Sequence, residues 1–342
     1  MALGEFDLIE RFFRQPSRAG AGVTLGIGDD AALLELPPGT ELVAALDIIV
    51  AGHHFLDDAS AHSIGYRALA VNLSDIAAMG ASPAWALMGL TLPQAEERWL
   101  EGFMAGWFEL AARHGVELVG GDTTRGPLTV SVQLSGWVER GTALRRGGGR
   151  PGDVLVVTGT LGDAAAGLEV ARGADELSLA TFNALSPSAA ASIAAADAIA
   201  AARAELRRRF EYPEPRVAFG RRARGIASAA MDISDGIAGD LPKLAAASGL
   251  AAQVEVARLP LSAALRVLAP ADRARHWALS GGDDYELLLA VSPARLPALQ
   301  DLAGACGLPL TPIGELCPGA GVTWSMDGAP MPVQPGGHDH FR

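Results

Sequence analysis

Residues 229–247 read AAMDISDGIAGDLPKLAAA. The first five, from Ala229 to Ile233, are apolar apart from Asp232, which is the length and composition of a buried strand. Asp232-Ile233-Ser234-Asp235-Gly236 then sets two carboxylates around a serine, and apolar residues recur at helical spacing over 238–247. A strand that passes through a small acidic turn directly into a helix is a building unit of α/β architecture. The other half of the chain carries related acidic turns at Gly28-Asp29-Asp30, Leu46-Asp47, Ser74-Asp75 and Gly121-Asp122, and Gly281-Gly282-Asp283-Asp284 adds one more to this half. Taken singly, each also suits a tight turn or a helix cap. Taken together they point to hard cations, which demand oxygen ligands, with small neighbours that let backbone and ligand approach. Converging carboxylates repel unless cations lie between them. A substrate that brings its own metals, a phosphate above all, is therefore expected.

Working outward, the pattern predicts a short helix over 5–14, a strand over 41–50 and a helix over 59–79. Ser82-Pro83 is read as a break before a strand over 84–90, and Pro93 as the opening of a helix that closes near Gly115. A short strand at 116–119 leads into Gly120-Gly121-Asp122-Thr123-Thr124-Arg125, read as a backbone cradle with phosphate-facing donors. Residues 128–139 alternate as a half-buried strand. The Arg145–Gly152 segment, RRGGGRPG, is the best boundary in the chain, dividing it into domains 1–145 and 146–342. Beyond it come a strand at 153–159, a helix at 163–171, Ala-rich helix over much of 173–228 with a proline break at 212–215, and strands at 229–233, 252–256, 285–291 and 321–324.

A length of 342 residues accommodates two domains, and 49% hydrophobic against 19% charged residues marks a soluble globular chain. A net charge of −12 argues against nucleic acid or an anionic membrane as partner. Lys243 is the sole lysine. A GxxxxGK[ST] phosphate loop is thereby excluded, and no protein-kinase motif set appears. Cys306 and Cys317 match no zinc or redox spacing and read as reduced thiols, in keeping with a cytoplasmic protein. No signal segment and no membrane-spanning stretch is visible.

GIGDDAAL, the His53-His54-Phe55 loop after Asp47, NLSDIAAMGASP, GGDTTRGP, the 145–153 segment, DISDG and GGDDYEL occur in one order over nearly the whole chain. In this the sequence resembles the thiamine-monophosphate kinase family, within the superfamily of ATP-using enzymes that includes aminoimidazole ribonucleotide synthetase. The resemblance implies a two-domain α/β (α+β) fold. Its N-terminal domain would bind ATP and Mg2+ and form a β-barrel-like sheet shared across a homodimer, and its C-terminal domain would be α/β. It implies transfer of the γ-phosphoryl of ATP to thiamine monophosphate, with several Mg2+ ions. Asp30, Asp47, Asp75, Asp122, Asp232 and Asp235 would be Mg2+ ligands; Gly121, Asp122, Arg146 and Ser234 would meet ATP; His54, Asp283 and His338 would meet thiamine phosphate; Asp29 is a weaker candidate. No general base is assigned, because the second pKa of a phosphate monoester is about 6 and the attacking oxygen is already largely ionised.

This chain departs from the family pattern in three places. Ala45 and Leu46 stand where hydroxyls are frequent, Asp283 replaces the usual Glu, and His338 replaces a usual Tyr or Trp. Within the superfamily, selenophosphate synthetases carry a reactive Cys or selenocysteine near the N-terminus, and carbamoyl-dehydratase maturation proteins a Cys at the C-terminus; here no Cys precedes Cys306 and the chain ends His-Phe-Arg. An aminoimidazole ribonucleotide synthetase-like enzyme and a non-catalytic nucleotide-binding module are the remaining alternatives.

Overall fold

In a computed structural model, residues 8–14, 21–173, 189–334 and 336 are described. The chain divides into two compact units, Met1–Ala143 and Leu144–Arg342.

The first unit is a four-stranded mixed sheet ordered β3-β6-β4-β5, with a small β1-β2 hairpin (Val23–Leu25, Leu33–Leu34) beside it. β3 (Thr40–Val50) and β4 (Ser82–Leu92) each pair antiparallel to β6 (Thr129–Glu139), and β4 runs parallel to β5 (Glu117–Arg125). The parallel pair is joined by the helix α2 (Glu97–His114), as a crossover requires. Helix α1 (Ala61–Ala78) packs on the sheet and α2 packs on α1. Two glycines permit that approach: a Cβ at Gly65 would lie 1.9 Å from the Phe103 carbonyl oxygen, and one at Gly106 would lie 1.9 Å from that of His62. Leu69, Leu73 and Ile76 of α1 and Phe103, Trp107 and Leu110 of α2 are fully buried. Along β3 the alternation expected of a one-sided strand leaves Leu42, Leu46 and Ile48 exposed on the opposite face.

Several expectations are corrected here. The stretch at 5–14 contains a π-helical turn, Ile9–Phe13. Ser82-Pro83 opens β4 instead of preceding it; Pro83 lies at the strand start, where the register against β6 shifts, a position that tolerates a missing N–H. Helix α2 begins at Glu97, after a turn at Pro93. Gly120 to Arg125 continue β5 instead of forming a loop, because β4 supplies a partner along the whole stretch.

The second unit is a seven-stranded sheet ordered β13-β12-β9-β11-β7-β10-β8. Its strands are β7 (Val154–Thr158), β8 (Ala229–Ile233), β9 (Ala251–Glu255), β10 (Glu286–Val291), β11 (Leu310–Cys317), β12 (Gly321–Met326) and β13 (Ala329–Pro330). All neighbours are antiparallel except β12 and β9. Helices α3 (Asp163–Ala171), α4 (Ala189–Glu211), α5 (Val217–Ala223), α6 (Ile237–Ala247), α7 (Ala263–Leu268), α8 (Ala271–Ser280) and α9 (Leu296–Ala305) complete it. Leu155, Val157, Met231, Ile233, Leu241, Leu244, Leu288 and Ile313 form the main core, and Leu206, Leu265, Leu268 and Trp277 a second cluster.

Strand β11 and helices α7, α8 and α9 were not expected from the sequence. β11 contains Thr311, Pro312, Gly314 and Glu315 and reads locally as a loop. It is a strand because it is held between β7 and β9, with a register shift at Pro312 to Gly314 that absorbs the proline. Both large sheets are open, and no closed barrel exists among the described residues.

Candidate active site

In the first unit, a groove of 1330 Å³ lies against the sheet and is lined by Gly28-Asp29-Asp30 and Gly120-Gly121-Asp122 together with Leu46 and Ser131. The structure thus brings Asp29, Asp30, Gly121 and Asp122 to one place from segments distant in sequence. Gly121 has φ 152°, and a Cβ there would lie 2.0 Å from the Met88 carbonyl oxygen, so only glycine fits the close contact with β4.

Asp47 follows Leu46 on β3, and alternation turns it to the helix-covered face. β3 is an edge strand, and the Asp47 N–H donates to Asn72 Oδ1 of α1 at 3.1 Å. Asp75, half-buried, lies one turn beyond Asn72 on the same helix. Burial pushes the Asp47 carboxyl above its ordinary value, a cost that a bound cation would offset. Asp47 and Asp75 thus both lie on the helix-covered side of the sheet, whereas the groove lies against its other face. His54 sits in the turn after β3, where its Nδ1 accepts from the Val50 N–H at 3.1 Å. In the neutral ring this leaves Nε2 as the protonated nitrogen, a donor suited to a phosphate oxygen.

In the second unit, the DISDG and GGDDY loops are tied together. Asp283 N–H donates to the Ser234 carbonyl at 2.8 Å, and Tyr285 N–H to that of Ile233 at 2.9 Å. Asp232 lies opposite Leu287 in the β8–β10 pair. Asp232, Ser234, Asp235 and Asp283 are thus gathered at one end of the sheet. Asp240, which the sequence reading did not single out, holds the turn in shape: its Oδ2 accepts from the N–H groups of Ser234 and Asp235 at 3.0 and 2.9 Å. Its signal in the sequence was an acid in the first turn of a predicted helix.

Arg146 is placed at the other end of α6. Its carbonyl accepts from Ser248 Oγ just beyond that helix, whereas Ser234 precedes it. At 1.5 Å rise per residue the helix is roughly 16 Å long, so the backbones of Arg146 and Ser234 stand at opposite ends of a span that an extended nucleotide could bridge. His338 lies outside the described residues.

Asp284 and Glu286, next to Asp283, are buried and have structural partners. Asp284 accepts from the Gly162 and Ala164 N–H groups at the start of α3, at 2.7 and 3.2 Å, a helix N-terminus suited to an anion. Burial nevertheless pushes its carboxyl well above the ordinary value, more than those bonds and the Arg209 charge lower it. Glu286 binds Arg209, Arg216 and Thr158.

Among the described residues, no group of three or more acidic, His or Cys side chains is close enough to hold a metal by itself. Mg2+ is ordinarily bound by one or two carboxylates, with water and substrate phosphates completing its octahedron. Single carboxylates on separate elements, as at Asp30, Asp122, Asp47 and Asp75, fit that chemistry.

The chain matches the AIR synthase related protein models, the N-terminal domain over residues 28–138 and the C-terminal domain over 150–326. It is 43% identical to the thiamine-monophosphate kinase of Salmonella typhimurium, covering 100% of this chain and 99% of that protein. The chain belongs to the thiamine-monophosphate kinase family. Among solved structures, the family member from Stenotrophomonas maltophilia superposes with a TM-score of 0.80 at 46% identity, covering 91% of this chain and 92% of that one. AaThiL complexed with AMPPCP and TMP superposes with a TM-score of 0.73 at 31% identity, covering 100% and 99%. Membership of the thiamine-monophosphate kinase family accounts for the two-unit mixed-sheet fold, and no described helix is long and apolar enough to cross a membrane.

Proposed function

We propose that this chain transfers the γ-phosphoryl of ATP to the phosphate of thiamine monophosphate, forming thiamine diphosphate and ADP. The observation that carries this reading is likeness over the full length to thiamine-monophosphate kinases, including a relative solved with AMPPCP and TMP. A terminal oxygen of the acceptor phosphate attacks the γ-phosphorus in line as the bond to the β,γ-bridging oxygen of ATP breaks, and ADP leaves. Catalysis of this kind is mostly positioning and charge stabilisation. Mg2+, when bound, would neutralise phosphate oxygens of both substrates. Asp30, Asp47, Asp75, Asp122, Asp232 and Asp235 are the residues assigned to hold it. Gly121, Asp122, Arg146 and Ser234 are assigned to ATP, and His54, Asp283 and His338 to the acceptor. In this reading the 1–145 domain supplies Asp30 and Asp122 from the groove and Asp47 and Asp75 from the other side of its sheet, and the 146–342 domain supplies the DISDG and GGDDY loops. Incubating the protein with ATP, Mg2+ and thiamine monophosphate and resolving the products chromatographically tests the activity. Thiamine diphosphate and ADP in equal amounts are expected, and ATP hydrolysis with no thiamine diphosphate would refute the reading.

The same reading makes the chain a homodimer whose copies pair through the first unit's open sheet face. Leu42, Leu46, Ile48 and Leu87 are exposed there, an apolar row that a second copy would cover, and Leu46 and Leu87 also line the groove, which would then lie beside the dimer interface. Light scattering should give twice the 35.2 kDa chain mass, and Leu42→Glu should shift the mass to that of a monomer. A monomeric wild-type protein would refute the pairing. The free thiols of Cys306 and Cys317 accord with a cytoplasmic setting.

A further inference from the structure

The chain's sole lysine lies against the DISDG loop. Lys243 Nζ donates to Asp235 Oδ2 at 2.7 Å and to Asp240 Oδ1 at 2.9 Å. The Asp240 side chain is only 1% exposed, and its other oxygen is taken by the Ser234 and Asp235 N–H groups. A carboxylate this buried needs a compensating charge. Lys243, three residues on along α6, supplies it. Its half-exposed ammonium is therefore anchored from the buried side and is not a freely swinging surface group. What it meets on the outer side is Asp235, one of the carboxylates assigned to metal.

The choice of side chain agrees with this placement. An ammonium is a compact point charge whose three donors can reach oxygens of separate residues, whereas a guanidinium is a planar fork suited to one bidentate partner. A lysine stands here in a chain whose other basic side chains, histidine apart, are all arginine. An ammonium and a divalent ion on the same carboxylate also repel one another.

We infer that Lys243 takes the place of one divalent cation at Asp235, so that the DISDG loop is neutralised by a tethered side chain and its second aspartate recruits no metal. This rests on the metal-assisted kinase reading above and revises one of its ligand assignments. The role is one of positioning and charge compensation: Lys243 acts on the nucleotide complex through Asp235.

Counting bound Mn2+ tests this on the full chain with AMPPCP present, using the electron paramagnetic resonance signal of free Mn2+. Asp235→Asn is expected to bind as many ions as wild type. Lys243→Met is expected to bind one more, and that gain should vanish in Lys243→Met/Asp235→Asn. Lys243→Arg, which keeps the charge, should match wild type in count. Loss of an ion in Asp235→Asn alone would overturn the inference, since Asp235 would then ligate metal with the lysine in place. An unchanged count in a folded Lys243→Met protein would overturn it too. Should Lys243→Met fail to fold by circular dichroism, the comparison of wild type with Asp235→Asn still decides. Absence of nucleotide-dependent Mn2+ binding in every form would remove the metal-assisted reading itself, and the inference with it.

Discussion

Tyr285 Oη donates a hydrogen bond of 3.0 Å to Asp283 Oδ1, and both residues have left-handed backbone, with φ of 50° and 69°. For a residue with a Cβ that conformation costs roughly 1–2 kcal/mol, less for Asp than for Tyr. The pair is held there by the bonds from their N–H groups to Ser234 and Ile233, and by buried Asp284 between them. Tyr285 thus aims the carboxylate assigned to the acceptor. Tyr285→Phe should raise the KM for thiamine monophosphate about fivefold, the value of one hydrogen bond near 1 kcal/mol, with the KM for ATP unchanged. In an Asp283→Gly background, where glycine accepts the φ, Tyr285→Phe should add nothing. Equal effects in both backgrounds would show that Tyr285 acts by another route.

Asp283→Glu adds the methylene that the resemblance to the family implies at this position. It should lower the acceptor KM about fivefold while leaving ATP binding alone, in line with one contact of about 1 kcal/mol. His338→Tyr should act in the same direction. Titrating each variant with both substrates checks this; a matching shift for ATP would misplace the acceptor pocket.

Asp75→Asn should reduce phosphoryl transfer by several orders of magnitude. Asp75 is half-buried on α1, and the exchange removes charge while keeping shape. The circular dichroism spectrum should be that of wild type. Near-normal turnover in the folded variant would remove Asp75 from the metal site.

Arg146 is exposed, with its backbone fixed by Ser248. Arg146→Ala should raise the KM for ATP about tenfold or more, as loss of a charge-assisted bond worth about 1.5–3 kcal/mol implies. An effect confined to the acceptor would reassign it.

Glu286 is fully buried between Arg209 and Arg216. Burial alone would raise its carboxyl, but the bonds and charges of Arg216 and Arg209 and the Thr158 hydroxyl bring it below the ordinary glutamate value. Its contribution to stability is therefore present above that ordinary value and lost as pH falls through the lower folded value. Glu286→Gln leaves two guanidinium groups short of their counter-charge and should cost about 3–5 kcal/mol at neutral pH. Chemical denaturation across the acid range should show the gap between variant and wild type closing as pH falls; a gap independent of pH would contradict the assignment.

The sequence alone determined the order of the acidic turns, the family, and the elements whose apolar residues follow one clear period. The strand at Ala229–Ile233 and the helix at Asp163–Ala171 lie where the pattern put them. These are local properties, written in spacing and composition. Tertiary structure decided what depends on partners. β11 is a strand because β7 and β9 flank it, and Gly120 to Arg125 are extended because β4 pairs with them. Asp283 and Asp284 are adjacent, yet one is assigned to the acceptor while the other bonds the start of α3. Lys243 was visible as the only lysine, but its ammonium gains meaning from a buried Asp240 and a neighbouring Asp235. Whether a carboxylate is buried, paired or open to a ligand depends on groups brought to it from elsewhere in the chain, and the field and desolvation they impose follow from distances that no local pattern encodes.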